Sequence, residues 1–158
     1  MPLKRFNFKP AARLFLLLCV CIGGLFAFVM KEYWNTVQYK DMPLQLPGVS
    51  VLYIICIFSY LTQGISFGIM TNHSQKAVYE TAVLLFWGQF ILGILWPGIF
   101  FGLKFFGLAL VDLFAAFILM IFTFSLFRKI DLIAAYLLVP LGAFLIFIAM
   151  LNAWFYIF

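Results

Sequence analysis

The order of apolar and polar positions divides the chain into five long apolar runs. The first, Leu14 to Met30, passes without a charge. Others cover about residues 49–70, 81–103, 105–127 and 132–158. Runs of about 18 residues or more are long enough to cross a bilayer as helices. The pattern therefore predicts an all-α membrane protein, a single domain over 1–158 built as a bundle of five transmembrane helices. The third and fourth runs are parted only by Lys104, which demands a tight turn. Pro97-Gly98 should bend or end the third helix.

The connectors are unequal. Residues 31–48 form a long first loop with Tyr33, Trp34, Tyr39, Pro43 and Pro47, whereas Thr71–Glu80, Lys104 and Arg128–Asp131 are short. A connector beyond about 12–15 residues in a compact chain is often functional. It can equally be an interfacial loop with its aromatics at headgroup level. The first run follows a basic start, as a signal peptide would. It continues through Gly23-Gly24 into Leu25-Phe26-Ala27-Phe28 with no small-residue cleavage site, so a retained first helix is expected.

Composition removes the soluble alternative. Hydrophobic residues make up 67% of 158 and charged residues 9%, against about 25% charge in a soluble domain. Lipid must solvate most of the exterior. Ten Lys and Arg face five Asp and Glu. These charges are sparse and lie between the apolar runs, which suits orientation in a membrane and not nucleic-acid binding. With the N-terminus in the cytoplasm, seven positive residues (Lys4, Arg5, Lys9, Arg13, Lys76, Arg128, Lys129) lie inside and three (Lys31, Lys40, Lys104) outside. The positive-inside rule then places the long loop and the C-terminus outside.

Candidate chemistry is thin. Cys19, Cys21 and Cys56 sit in apolar runs and read as small buried hydrophobes. One histidine, His73, cannot assemble a metal cluster or a bis-histidine haem site. No triad, carboxylate pair or phosphate loop is present. Asp112 is the only acid well inside a span, about 12 Å past Lys104 at helical rise. It pairs with a partner, carries protons or fixes a helix contact. Gln63, Gln89 and Asn152 are amides that serve as cross-helix glue or as ligand contacts. Gln89, Gly93, Trp96 and Phe100 share one face of the third run, and Pro140, Phe144, Ile148, Leu151 and Phe155 one face of the fifth. Such stripes are packing faces, or the walls of a pocket for a flat apolar ligand.

Gly88-Gln89 followed by Leu95-Trp96-Pro97-Gly98-Ile99-Phe100-Phe101-Gly102 resembles the signature of the tryptophan-rich sensory protein/translocator protein family, a Gly-Gln and then Asn-x-x-Trp-x-Pro-x-Phe-Phe. The resemblance continues through Ala109-Leu110-Val111-Asp112, Ile130 to Ala135, Leu137-Leu138-Val139-Pro140 and Leu151-Asn152. Gly23-Gly24, Pro43, Pro47 and Tyr60-Leu61 with Gly64 fit the family's spacing. There are departures. Pro47 to Cys56 lacks the family's tryptophans, the span-three Asn is Gly93, and the Pro-Tyr and following Trp of span five are Pro140-Leu141 and Phe144.

The resemblance implies a five-helix bundle that binds porphyrins, sterols and synthetic lipophiles in a pocket lidded by the first loop. By position that pocket would include Trp34, Gln89, Gly93, Trp96, Phe100, Phe144, Ile148 and Leu151, with Asp112 and Asn152 structural or proton-linked. Nothing basic follows Lys129, so the sterol motif of some members is missing. The expected function is a receptor-like binder of tetrapyrroles or other flat lipophiles in transport, sensing or stress homeostasis. No cofactor is expected, although porphyrin or haem is a candidate ligand. A small proton-coupled exporter using Asp112 is one alternative. A porphyrin-degrading enzyme is another, and the lost tryptophans argue against it. Gly98-x-x-x-Gly102, with Gly88 and Gly93, suggests a homodimer through span three. A bacterial cell membrane is expected rather than the mitochondrial outer membrane.

Overall fold

The computed structural model describes residues 9–36, 49–74 and 77–157, apart from the side chains of 33–36 and 49–53. Among these residues the chain is helical throughout: α1 Pro10–Thr36, α2 Val49–Met70, α3 Tyr79–Pro97, α4 Phe106–Ile130, α5 Leu132–Tyr136 and α6 Val139–Ile157. A 3-10 turn at Thr71–His73 follows α2, and a π-helical segment at Gly98–Leu103 follows α3. Together they make five helical stretches long and apolar enough to cross a membrane. The chain is an integral, multi-pass membrane protein.

Three local features shape the bundle. First, α1 does not stop at Met30 but runs on to Thr36 over 27 residues. At ~1.5 Å per residue that is about 40 Å, longer than a ~30 Å hydrocarbon core. Lys31 and Glu32, expected in the loop, are therefore exposed helical residues. Tyr39, Pro43 and Pro47 lie outside the described residues.

Second, the proline in span three acts as its chemistry requires. Pro97 has no N–H to give the Gly93 carbonyl four residues back. The α-helix ends there and the wider π-helix carries the chain to Lys104. Lys104 turns the chain with φ 56° and ψ 28°, the left-handed conformation usually left to glycine. The N–H groups of Lys104 and Phe105 both donate to the Ile99 carbonyl, which closes the turn.

Third, span five is broken into α5 and α6. Asp131 caps α5, its Oδ1 accepting from the N–H groups of Ile133 at 2.9 Å and Ala134 at 3.1 Å. His73 Nε2 stands 3.9 Å from the other carboxylate oxygen. At the break the Leu138 N–H donates to Ala135, one residue short of the α-helical register. Ser66 of α2 donates to the Ala134 carbonyl at 2.6 Å, whereas Ser59 donates to the Ile55 carbonyl of its own helix at 2.7 Å, with the Pro140 carbonyl farther off at 3.3 Å. In lipid a carbonyl freed at a helix break needs such a donor. The buried polar face of α2, with Ser59, Thr62, Gln63 and Ser66, supplies it through Ser66.

These contacts make α2 the central helix, packed against α1, α5 and α6, while α4 packs against α3, α5 and α6. Small residues bring α1 and α2 close. A Cβ on Gly64 would meet Leu16 at 2.7 Å, and one on Gly23 would meet Tyr60 at 3.0 Å. On the remaining side, aromatic rings bridge from α1 and α2 to α3. Phe15 lies within ring contact of Phe67, Phe86, Trp87 and Phe90, and Phe67 stacks on Phe86 at 4.9 Å. This cluster fills the end of the bundle nearest the N-terminus. A second one, Trp96, Phe100, Phe101, Phe106 and Phe155, fills the Lys104 end.

Candidate functional site

Between the two aromatic clusters lies a cavity. Phe90 forms its limit on one side and Trp96 on the other. Four helices contribute residues at helical spacing: Phe26 and Met30 from α1, Tyr60 and Gln63 from α2, Gln89, Gly93 and Trp96 from α3, and Leu141, Phe144, Leu145 and Ile148 from α6. Pro97 and Leu113 complete the wall. Tyr60 stands between Phe26 at 5.4 Å and Phe90 at 6.4 Å. Gly93 lacks the side chain that would close the space toward the Tyr60 hydroxyl, 3.7 Å from where a Cβ would be.

The cavity is narrow in this state. Counting its mouth, it encloses about 500 Å³ of atom-free space, but only about 30 Å³ accepts the centres of water-sized molecules. That is room for one or two waters, well below the ~300–1,000 Å³ of drug-sized ligand pockets. A flat ligand can enter only if lining rings or Met30 turn aside. Two amide side chains line this apolar space, together with Tyr60 and Trp96. Gln63 and Gln89 are 2% and 3% exposed, and Gln63 Oε1 and both amide atoms of Gln89 have no hydrogen-bond partner among the described residues. A second concavity, about 310 Å³, lies outside the bundle between α4 and α6 and is lined only by apolar residues. Leu113 and Leu145 belong to both walls.

Of the residues expected to form a pocket, Gln89, Gly93, Trp96, Phe144 and Ile148 meet here. Phe100 does not line it. The π-helix after Pro97 changes the number of residues per turn, so the α-helical spacing that joins Phe100 to Gln89 no longer holds. Phe100 instead stacks on Trp96 at 5.1 Å and meets Phe155 at 5.6 Å. Leu151 lies one turn past Ile148, buried but off the wall. The side chain of Trp34 lies outside the described set. Tyr60, Leu141 and Leu145 are lining residues that the face-by-face reading passed over, whereas Gln63, expected as cross-helix glue or a ligand contact, lines the wall.

Asn152 has a different place. With its amide nitrogen toward a carbonyl, it donates to Phe106 and accepts from the Leu110 N–H, both at 3.0 Å. It clips α6 to the first turn of α4. Asp112 is 8% exposed, is not a lining residue, and its Oδ2 has no hydrogen-bond partner among the described residues. The span-three glycines divide. A Cβ on Gly88 would meet Leu119 of α4 at 3.1 Å and one on Gly93 the Tyr60 hydroxyl at 3.7 Å, whereas one on Gly98 or Gly102 would meet nothing within 4 Å.

With the bundle, its central cavity and the tryptophan-proline break in place, the comparison with known families is decisive. A sequence model of the TspO/MBR family matches residues 14–157. The chain belongs to that family. No individual curated protein matches it. Within the TspO/MBR frame, the break that shapes one wall of the cavity is the segment Trp96-Pro97-Gly98-Ile99-Phe100-Phe101. Family membership supports a receptor- or transporter-like role in the membrane.

Proposed function

We propose that this TspO/MBR protein binds a flat lipophilic ligand, with tetrapyrroles the leading class, in the cavity between α1, α2, α3 and α6. The observation that carries this reading is the cavity itself, an aromatic-lined space in the bundle interior with two amides turned toward it. Apolar rings supply stacking area and a few polar groups fix orientation. Among the described residues no lining residue is an acid, a histidine, a cysteine or a lysine, so binding accounts for the wall better than catalysis does. Trp96 is the reporter. Protoporphyrin or haem added to the purified chain should quench its fluorescence and shift the Soret band in a saturable way. Absence of both signals in detergent and in lipid discs sinks the reading.

A proton-coupled exporter is the second reading, favoured by the partnerless oxygen of Asp112. Asp112→Asn separates the two: a binder keeps its affinity, whereas an exporter loses pH-driven transport. Self-association is proposed through the outward Gly98 and Gly102, since Gly88 and Gly93 are used within the chain. Converting both outward glycines to Ile should shift the solubilised mass from dimer to monomer. A parent already monomeric at micromolar concentration in mild detergent rejects a dimer.

A further inference from the structure

The groove between α4 and α6 is roomier than the central cavity, about 310 Å³ against about 30 Å³. Ala149 and Ala153, one turn apart on α6, form a half-buried floor. Phe114 of α4 and Ile146 and Met150 of α6 stand exposed around it. From Leu145 to Ala153 the groove follows the helix axis for about 12 Å at helical rise. Atoms that line an unfilled groove forfeit dispersion contacts, so a slim apolar chain lying along the helices suits it. A second transmembrane helix suits it less, because Phe114 and Met150 hold a backbone away from the alanines.

One end of the groove is polar. A turn beyond Leu110 and Ala153, Tyr156 crosses from α6 to α4, and a Cβ on Gly107 would meet its ring at 2.9 Å. Tyr156 is exposed. Just before Gly107 comes Lys104, exposed and without an ion-pair partner among the described residues. It holds a left-handed backbone that glycine adopts more easily. A side chain kept on such a backbone asks for a use. A hydroxyl donor and an ammonium at the head of an apolar groove suit a phosphate whose ester carries an acyl chain. Among the described residues the other exposed charges at this end, Lys31 and Glu32, belong to α1, which packs chiefly on α2.

We propose that the α4–α6 groove seats one acyl chain of an anionic glycerophospholipid, with its phosphate held by the Lys104 ammonium and the Tyr156 hydroxyl. The site is separate from the central cavity and requires no ligand there.

Native mass spectrometry of the full-length chain, stripped of lipid in mild detergent, tests this with phosphatidylglycerol and phosphatidylcholine of equal chain length. The first phosphatidylglycerol should bind saturably, about fivefold more tightly than phosphatidylcholine, the scale of one lysine at an anionic lipid surface. It should also raise the melting temperature. Lys104→Gln should bring the two lipids level, and Lys104→Arg should keep the preference. Tyr156→Phe should weaken both lipids. Ala149→Phe and Ala153→Phe fill the groove and should abolish the first adduct of either lipid.

Equal binding of the two lipids by the parent overturns the proposal, as do adducts that accumulate with no saturable first one. Groove-filled protein that still prefers phosphatidylglycerol places the lipid elsewhere and overturns it too. If filling the groove turns a dimer into a monomer and leaves lipid binding unchanged, a second copy is the occupant. Should the phenylalanine variants fail to fold, Lys104→Gln on its exposed turn still decides, because a preference that survives it rejects the phosphate site.

Discussion

Trp96 has two kinds of neighbour. One face of the indole belongs to the cavity, and the other packs with Phe100 and Phe101. Trp96→Ala should weaken a bound porphyrin by about 1–3 kcal/mol, the scale of a lost aromatic contact with its packing. Titration of the variant by Soret absorbance checks this. Phe144→Ala should act in the same direction, and two variants that bind like the parent would place the ligand elsewhere. Asn152 predicts a stability effect instead. Asn152→Leu removes two cross-helix hydrogen bonds and leaves the Phe106 carbonyl and Leu110 N–H to each other. At the modest value of such bonds in membranes, the loss should be about 1–2 kcal/mol, read as a lower melting temperature with porphyrin affinity kept. At this scale the sequence was legible wherever a polar or kinked residue interrupted the apolar background. Gln89, Asn152 and Pro97 could be singled out for that reason. Phe26, Met30 and Leu145 could not, because lipid-facing and core-facing positions are equally apolar in a span and amphipathic periodicity carries little signal.

At the scale of elements, the span-three exit carries a measurable strain. Lys104 holds a left-handed backbone that costs a residue with a Cβ roughly 1–2 kcal/mol. Glycine adopts it freely at the expense of greater chain entropy when unfolded. Lys104→Gly should therefore stabilise the protein by a few tenths to about 1 kcal/mol, seen as a higher melting temperature in detergent. A lower one would show that the lysine side chain holds the turn by other contacts. The same exit shows why part of the site was misread. Spacing arguments assume one helical period, and the change from α to π after Pro97 shifts every later residue in the span. The helical break in span five was legible only as Pro140. Its stitching to Ser66 lies in another helix, and one-dimensional spacing cannot relate α2 to α5.

For the whole molecule, five spans follow from the lengths of the apolar runs alone, and the observed bundle agrees. The order of packing around the bundle does not follow from those lengths. Small residues such as Gly23 and Gly64, and rings such as Phe15 and Phe86, decide which helices touch. Orientation is a prediction at this scale. The seven-to-three division of positive residues puts the N-terminus and the His73–Asp131 end in the cytoplasm. On a background without Cys19, Cys21 and Cys56, a cysteine at Asn72 should react with an impermeant maleimide only after the cells are opened. Labelling of Asn72 in intact cells would invert the topology.

The wall shared by Leu113 and Leu145 has a kinetic consequence. Two aliphatic side chains stand between the cavity and the groove on the outer side of α4 and α6. A lipophile dissolved in the bilayer is already concentrated there and reaches the groove by lateral diffusion, without passing through water. Exchange then depends on how often those two side chains change rotamer, and affinity does not. Leu145→Ala should raise the association and dissociation rates of a porphyrin in stopped-flow measurements by a larger factor than the loss of one aliphatic wall contact changes the equilibrium constant. Where the groove and the interior become continuous, the combined space also enters the size range of ligand pockets, so an acyl tail could follow the ligand in and compete with it.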